Sequence, residues 1–179
     1  YGANLSYIQL LVDYWRTQYD WRAQEKQMNR WQHFKTTIDG QGIHFIREHG
    51  KGPNPLPLII SHGWPGSFYE FMDVIGPLTD PAAYGGDPAD AFDVVVPSLP
   101  GYGFSDPPHE RKVNIIRMAD WFAVLMKDVL GYERYGAQGG DWGSMISSRL
   151  GYAYPQQVAG VHLNMIGVAP YPANRQNLS

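Results

Sequence analysis

Strands alternating with helices predict an α/β fold, a mostly parallel sheet with helices on both faces. Three observations carry this expectation. The short runs Leu58-Ile59-Ile60 and Phe92-Asp93-Val94-Val95-Val96 read as buried strands, and Tyr135-Gly136-Ala137-Gln138 as a strand-like run. Segments with helical spacing lie between them. Each run is followed by a glycine-containing turn, and in such sheets ligands bind beyond the carboxyl ends of the strands.

Taken in order, Ile8, Leu11, Val12, Trp15 and Tyr19 recur at helical spacing. The first twenty residues are therefore expected to form one amphipathic helix, continued or followed by the polar run 22–30. Residues 1–31 read as a helical extension and 32–179 as the first part of the core. Two strand-like runs, 32–38 and 43–47, flank Asp39-Gly40-Gln41-Gly42, whose glycines suit a hairpin. Pro53, Pro55 and Pro57 break the chain before the first buried strand, which stops at Ser61-His62-Gly63. Phe68, Phe71, Ile75 and Leu78 then follow helical spacing behind a candidate capping box, Ser67 with Glu70. The Pro/Gly/Asp/Ala-rich segment 79–90 reads as a loop, and Pro97 closes the next strand. Residues 118–130 read as a helix stopped by Gly131, and 158–164 as a last strand.

Composition narrows the chemistry. The chain has 179 residues, 44% hydrophobic and 14% aromatic, enough for one globular domain. A net charge of −3 without a dense Lys/Arg run argues against nucleic acid as a partner and points to a small uncharged one. With no Cys, thiolate nucleophiles and zinc–thiolate sites are excluded, so a nucleophile must be oxygen or nitrogen. No apolar stretch approaches the ~18 residues of a membrane span. The expectation is a soluble chain with a cytoplasmic location favoured; because it begins at Tyr1, an upstream anchor stays open.

Gly139-Gly140-Asp141-Trp142-Gly143 concentrates the functional signal. It lies between a strand-like run and a segment, Ser144, Met145, Ile146 and Leu150, with helical character. Flanking glycines permit a sharp strand-to-helix turn that exposes the central side chain at the top of the sheet, a turn that usually carries Ser. The competing reading makes Asp141 a helix N-cap. Gly101 and Gly103 lack the third glycine of a dinucleotide fingerprint, and Gly136, Gly139, Gly140 and Gly143 lack the Lys-Ser/Thr pair of a phosphate loop. No nucleotide or other cofactor is expected.

His62-Gly63-Trp64-Pro65-Gly66-Ser67, Pro100-Gly101-Tyr102-Gly103-Phe104-Ser105 and Gly139-Gly140-Asp141-Trp142-Gly143-Ser144 stand in α/β-hydrolase order after successive strands. Together they resemble epoxide hydrolases, in the branch of microsomal, juvenile-hormone and related fungal and bacterial enzymes, whose members also carry a helical N-terminal extension. The resemblance spans essentially the whole chain. It implies Asp141 as nucleophile, the amides of Trp64 and Trp142 as an oxyanion hole, and a cis peptide before Pro65. His62, Gly63, Pro65, Gly139, Gly140 and Gly143 would support the turns, His62 as a structural imidazole. Trp64 and Trp142 could also serve as core aromatics.

A carboxylate at a helix N-terminus is favoured in its charged form and attacks without a partner to remove a proton. Attack on an epoxide carbon would give an alkyl ester, and water would release a vicinal diol. The resemblance places the lid tyrosines, the general-base His and its acid after a sixth strand, so the lid and C-terminal core are expected to lie outside this chain, in cis or on a second chain. The expected partners are a small apolar epoxide, water and that remainder; alone, the chain is expected not to turn over. His33, His44, His49, His109 and His162 read as surface or structural histidines, and Tyr152, Tyr154 and Tyr171 are not taken as lid acids. Two alternatives stand beside this reading: a haloalkane or haloacid dehalogenase with the same nucleophile, and a non-catalytic half-domain that binds a partner.

Overall fold

A computed structural model describes residues 2–166. The chain forms two compact units, Tyr1–Arg30 and Trp31–Ser179. In the first, the helix expected over the first twenty residues is followed by a second in the polar run. Helix α1 (Leu5–Thr17) is capped by Asn4, whose Oδ1 accepts from the amides of Ser6 and Tyr7. The amides of Gln18 and Tyr19 both turn back onto the Tyr14 carbonyl, ending that helix. Asp20 then caps α2 (Trp21–Met28) by accepting from Ala23 N at 3.0 Å. The Asp20 cap starts the second helix where the apolar spacing, which ends at Tyr19, gives no signal. No helix among the described residues is long and apolar enough to cross a membrane.

The second unit is built on six strands, β1 (His33–Ile38), β2 (Gln41–Glu48), β3 (Leu56–Ser61), β4 (Phe92–Pro97), β5 (Tyr135–Gly139) and β6 (Val158–Leu163). Their order across the sheet is β1-β2-β4-β3-β5-β6. The first three neighbours pair antiparallel, and β4, β3, β5 and β6 run parallel. The hairpin turn is tighter than the four-residue loop expected from sequence. Ile38 already pairs with Gln41, leaving Asp39 (φ 49°) and Gly40 (φ 79°) as a two-residue turn with both central residues left-handed.

Helices α4 (Ile115–Val124) and α5 (Trp142–Ala153) cover one face of the sheet. Their Met118, Trp121, Phe122, Ile146 and Leu150 form one core with Ile43, Phe45, Ile59, Val95 and Ala137. Each such side chain contributes roughly 1.5–3 kcal/mol when fully withdrawn from water. Helix α4 starts three residues earlier than its apolar pattern suggests, because Asn114 accepts from Arg117 N at 3.0 Å. It continues as a π turn through Val129 and stops at Gly131, φ 77°.

On the other face lie a 3₁₀ turn, Phe68–Phe71, and α3 (Ile75–Thr79). The expected capping box is not formed. Ser67 Oγ accepts from Tyr69 N at 3.2 Å, but among the described residues no bond joins Glu70 to the Ser67 amide. The segment packs too tightly as 3₁₀ for the reciprocal geometry of an α-helical first turn. Segment 79–90 carries two further 3₁₀ turns, Pro81–Tyr84 and Pro88–Asp90. An apolar groove of about 900 Å³ runs along this face, lined by Leu58, Ile60, Phe71, Val74, Leu78 and Val161 among others.

His44 on β2 is 3% exposed and bridges two elements: Nδ1 lies 2.8 Å from Ser98 Oγ and Nε2 lies 2.9 Å from His33 Nδ1. Burial first, then the neighbouring His33 and Lys35, pushes its pKa down to about 4. Between pH 6.5 and 4 the unfolded chain therefore binds more protons than the folded one. Stability is expected to fall as pH drops through that window, by at most about 3 kcal/mol from this residue. Urea midpoints at pH 7 and pH 4.5 for the wild type and His44→Asn check this; an equal drop in both would assign the loss to other groups.

Candidate active site

Parallel pairing of β3 with β5 sets Ser61 opposite Gly139. The turns that follow, His62-Gly63-Trp64 and Gly140-Asp141-Trp142, therefore leave the sheet side by side. Gly139 and Gly143 permit the second turn. A Cβ on Gly139 would overlap the Gly143 backbone, and one on Gly143 would overlap the Ser61 carbonyl. Asp141 between them has φ 49° and ψ −125°, a conformation costing a non-glycine residue on the order of 1–3 kcal/mol. Ser144 holds the elbow from inside α5, donating both its amide (3.1 Å) and its Oγ (2.7 Å) to the Asp141 carbonyl.

The Asp141 side chain makes no capping bond to α5. Its Oδ1 instead accepts from the Trp64 amide at 2.7 Å, across from the neighbouring turn. The N-cap alternative is thereby corrected: Asp141 stands at the N-cap position, but its carboxylate is turned away from the helix it precedes. Gly63 makes room for it, since a Cβ there would overlap the carboxylate. The Trp64–Pro65 peptide is cis. The Trp142 amide, first in α5, donates to no protein acceptor among the described residues, as expected of a first-turn N–H. One backbone donor, from Trp64, thus meets the carboxylate at the positive end of α5, where the first-turn amide of Trp142 also begins the helix.

The two tryptophans differ. Trp64 is 65% exposed, so it is not the core aromatic that sequence left open. Trp142 packs against the core, with its ring 6.2 Å edge-on from Tyr102.

His62 is buried and bonded on both sides. Its Nε2 accepts from Leu99 N at 3.1 Å and its Nδ1 lies 3.1 Å from the Gly63 carbonyl oxygen. An amide only donates, so Nε2 is unprotonated and Nδ1–H donates to Gly63. Burial pushes its pKa down, only partly offset by the Gly63 bond. The spacing of the motifs did not reveal this link to the turn after β4; only the strand order β4-β3-β5, which sets Leu99 beside His62, does so. Asn164 was likewise missed: its amide donates to the Gly139 carbonyl at 3.2 Å and its Oδ1 accepts from Gln138. Gly140 lies against the Asn164 side chain.

The other histidines sit apart from the carboxylate. His49 is exposed beside Asp93, His109 and His162 are exposed, and His33 and His44 form the pair described above. Tyr152 is 81% exposed near the far end of α5 from Asp141, and Tyr154 Oη donates to Asp120 at 2.8 Å. Tyr171 lies outside the described residues.

Known proteins fit this geometry. Residues 57–177 match the α/β hydrolase fold family and residues 1–71 the epoxide hydrolase N terminus family. Epoxide hydrolase 1 of Sus scrofa is 42% identical over 169 residues, covering 92% of this chain and 37% of its own length. The structure of Aspergillus niger epoxide hydrolase superposes with a TM-score of 0.82 at 34% identity, over 96% of this chain and 44% of that one. The juvenile hormone epoxide hydrolase of Bombyx mori gives a TM-score of 0.82 at 36% identity, over 92% and 43%. The chain thus spans less than half the length of these relatives. With an acidic elbow, a facing amide and both family signatures in one chain, it belongs to the epoxide hydrolase family of the α/β-hydrolase fold.

Proposed function

We propose that this chain supplies the nucleophile and oxyanion hole of an enzyme that hydrolyses epoxides to vicinal diols through an Asp141 alkyl ester. One observation carries the reading: Asp141, at the strained elbow, accepts from the Trp64 amide at 2.7 Å instead of capping its own helix. That bond makes the two carboxylate oxygens unequal. Oδ2 attacks one epoxide carbon, the ring C–O bond at that carbon breaks, and the resulting alkoxide takes a proton from an acid on the lid. Oδ1 becomes the ester carbonyl oxygen without moving.

Water, deprotonated by a general-base histidine, then adds to Cγ. Negative charge gathers on Oδ1, where the Trp64 and Trp142 amides receive it, and collapse expels the diol with Oδ2. The turns around His62, Gly63, Pro65, Gly139, Gly140 and Gly143 hold the two donors and the carboxylate in place. The lid acid, the histidine and its carboxylate partner come from the remainder of the enzyme, in cis or on a second chain, and this chain alone does not turn over. The apolar groove on the α3 face, about 900 Å³, supports packing of that remainder against Leu58, Ile60 and Val161.

The test is mass spectrometry of the complete enzyme, its general-base histidine disabled, after exposure to an apolar epoxide. A single adduct equal to the epoxide mass is expected on the peptide containing Asp141. Epoxide consumption with Asp141 unmodified would overturn the ester mechanism.

A further inference from the structure

Resting on that reading, we propose that His62 is a positioning residue that strengthens the Trp64 oxyanion donor by polarising the peptide group to which that donor belongs. The Gly63 carbonyl and the Trp64 N–H are the two ends of one peptide group. His62 Nδ1–H donates to the carbonyl end at 3.1 Å, and the N–H end donates to Asp141 Oδ1 at 2.7 Å. Pulling electron density toward the carbonyl oxygen leaves the N–H more positive, a cooperative gain of about 10–30% per bond.

The polarity of this relay is set by the fold. Leu99, just past β4, gives its amide to His62 Nε2 at 3.1 Å, and that bond forces the proton onto Nδ1. Tyr102 closes over the imidazole edge-on, ring centroids 5.5 Å apart, and the ring is 1% exposed. Ser98, the residue before Leu99, is tied to His44 Nδ1 at 2.8 Å and receives a bond from Ser105 Oγ on its carbonyl at 2.7 Å. The turn after β4 is thus anchored on both sides of the amide that orients His62. Bulk alone would not need this arrangement: a buried turn needs its groups satisfied, whereas here a donor on the carbonyl and an acceptor for Leu99 both converge on one ring.

The two chemical steps separate this role from a merely structural one. When Oδ2 attacks the epoxide, the carboxylate loses charge, so a stronger donor on Oδ1 brings no gain. When water adds to the ester, Oδ1 gains a full charge, so the donor matters there. Loss of His62 is therefore expected to slow ester hydrolysis much more than ester formation.

In the complete enzyme, single-turnover measurement of the Asp141 adduct by quenched-flow mass spectrometry reads both rates. His62→Phe, which keeps an aromatic ring but neither bond, and His62→Gln, whose amide sits one atom further out, are expected to slow hydrolysis about tenfold. Formation should stay within about threefold, so that adduct accumulates. His62→Asn places an amide where Nδ1 was and is expected to restore most of the lost hydrolysis rate. Equal slowing of both steps in His62→Phe and His62→Gln, or no slowing in either, would overturn the positioning role. If His62→Phe does not fold, His62→Gln and His62→Asn decide it. Wild-type enzyme that forms no adduct at all would instead overturn the underlying ester reading, a different outcome.

Discussion

Asp141→Ala is expected to abolish diol formation, lowering kcat by about 10⁴-fold or more in the complete enzyme. The substitution removes the only atom that bonds to the substrate in the proposed first step. Ser144 Oγ, the nearest hydroxyl along the chain, is directed at the Asp141 carbonyl. The fold should tolerate the change: Asp141 caps nothing in α5, and what is lost is one charge-assisted bond to Trp64, worth about 1.5–3 kcal/mol at most. Steady-state diol production together with a thermal melt checks both halves. Residual turnover above about 1% with a native melt would show that another group is the nucleophile.

Gly143→Ala is expected to be the most destructive change to the elbow itself. Its new methyl group would overlap the Ser61 carbonyl, a backbone atom held by the parallel pairing of β3 with β5. No rotamer relieves such a clash, so α5 must move away from the sheet, at a cost of about 3 kcal/mol or more. Asp141 would move with it, away from the Trp64 amide. Gly140→Ala makes an informative contrast. There the nearest atom is the Asn164 side-chain nitrogen at 3.4 Å, which can yield, and the cost should stay near 1 kcal/mol. Urea unfolding of the two variants under the same conditions tests the difference; equal midpoints would mean that the close approach of β3 and α5 is not what demands glycine at 143.

Much of this is legible in the sequence. Leu58-Ile59-Ile60 and Val94-Val95-Val96 mark two buried strands by apolar runs, and small residues around an acid mark the elbow, because a strand buried on both faces and a turn with no room for Cβ each leave few residue choices. What escaped was of a different kind. The boundary between α1 and α2 depends on Gln18 and Tyr19 turning back onto the Tyr14 carbonyl and on Asp20 finding the Ala23 amide, which apolar spacing does not mark. The capping box failed because Ser67 and Glu70 match a local pattern whose geometry the 3₁₀ turn does not supply. Trp64 could be read equally as core or surface, since an exposed indole leaves no mark on spacing. The bonds of His62 to Leu99 and of His44 to Ser98 join residues 37 and 54 positions apart, which only the sheet order brings together.

The contact between Trp64 and Asp141 closes a loop of 77 residues. Chain statistics put the entropy of closing such a loop at about 4 kcal/mol, more than the one hydrogen bond returns. The nucleophile therefore cannot recruit its amide by mutual attraction; pairing of β3 with β5 must do it for them. A nascent or partly folded chain contains an ordinary aspartate, and reactive geometry is acquired only when the centre of the sheet is complete.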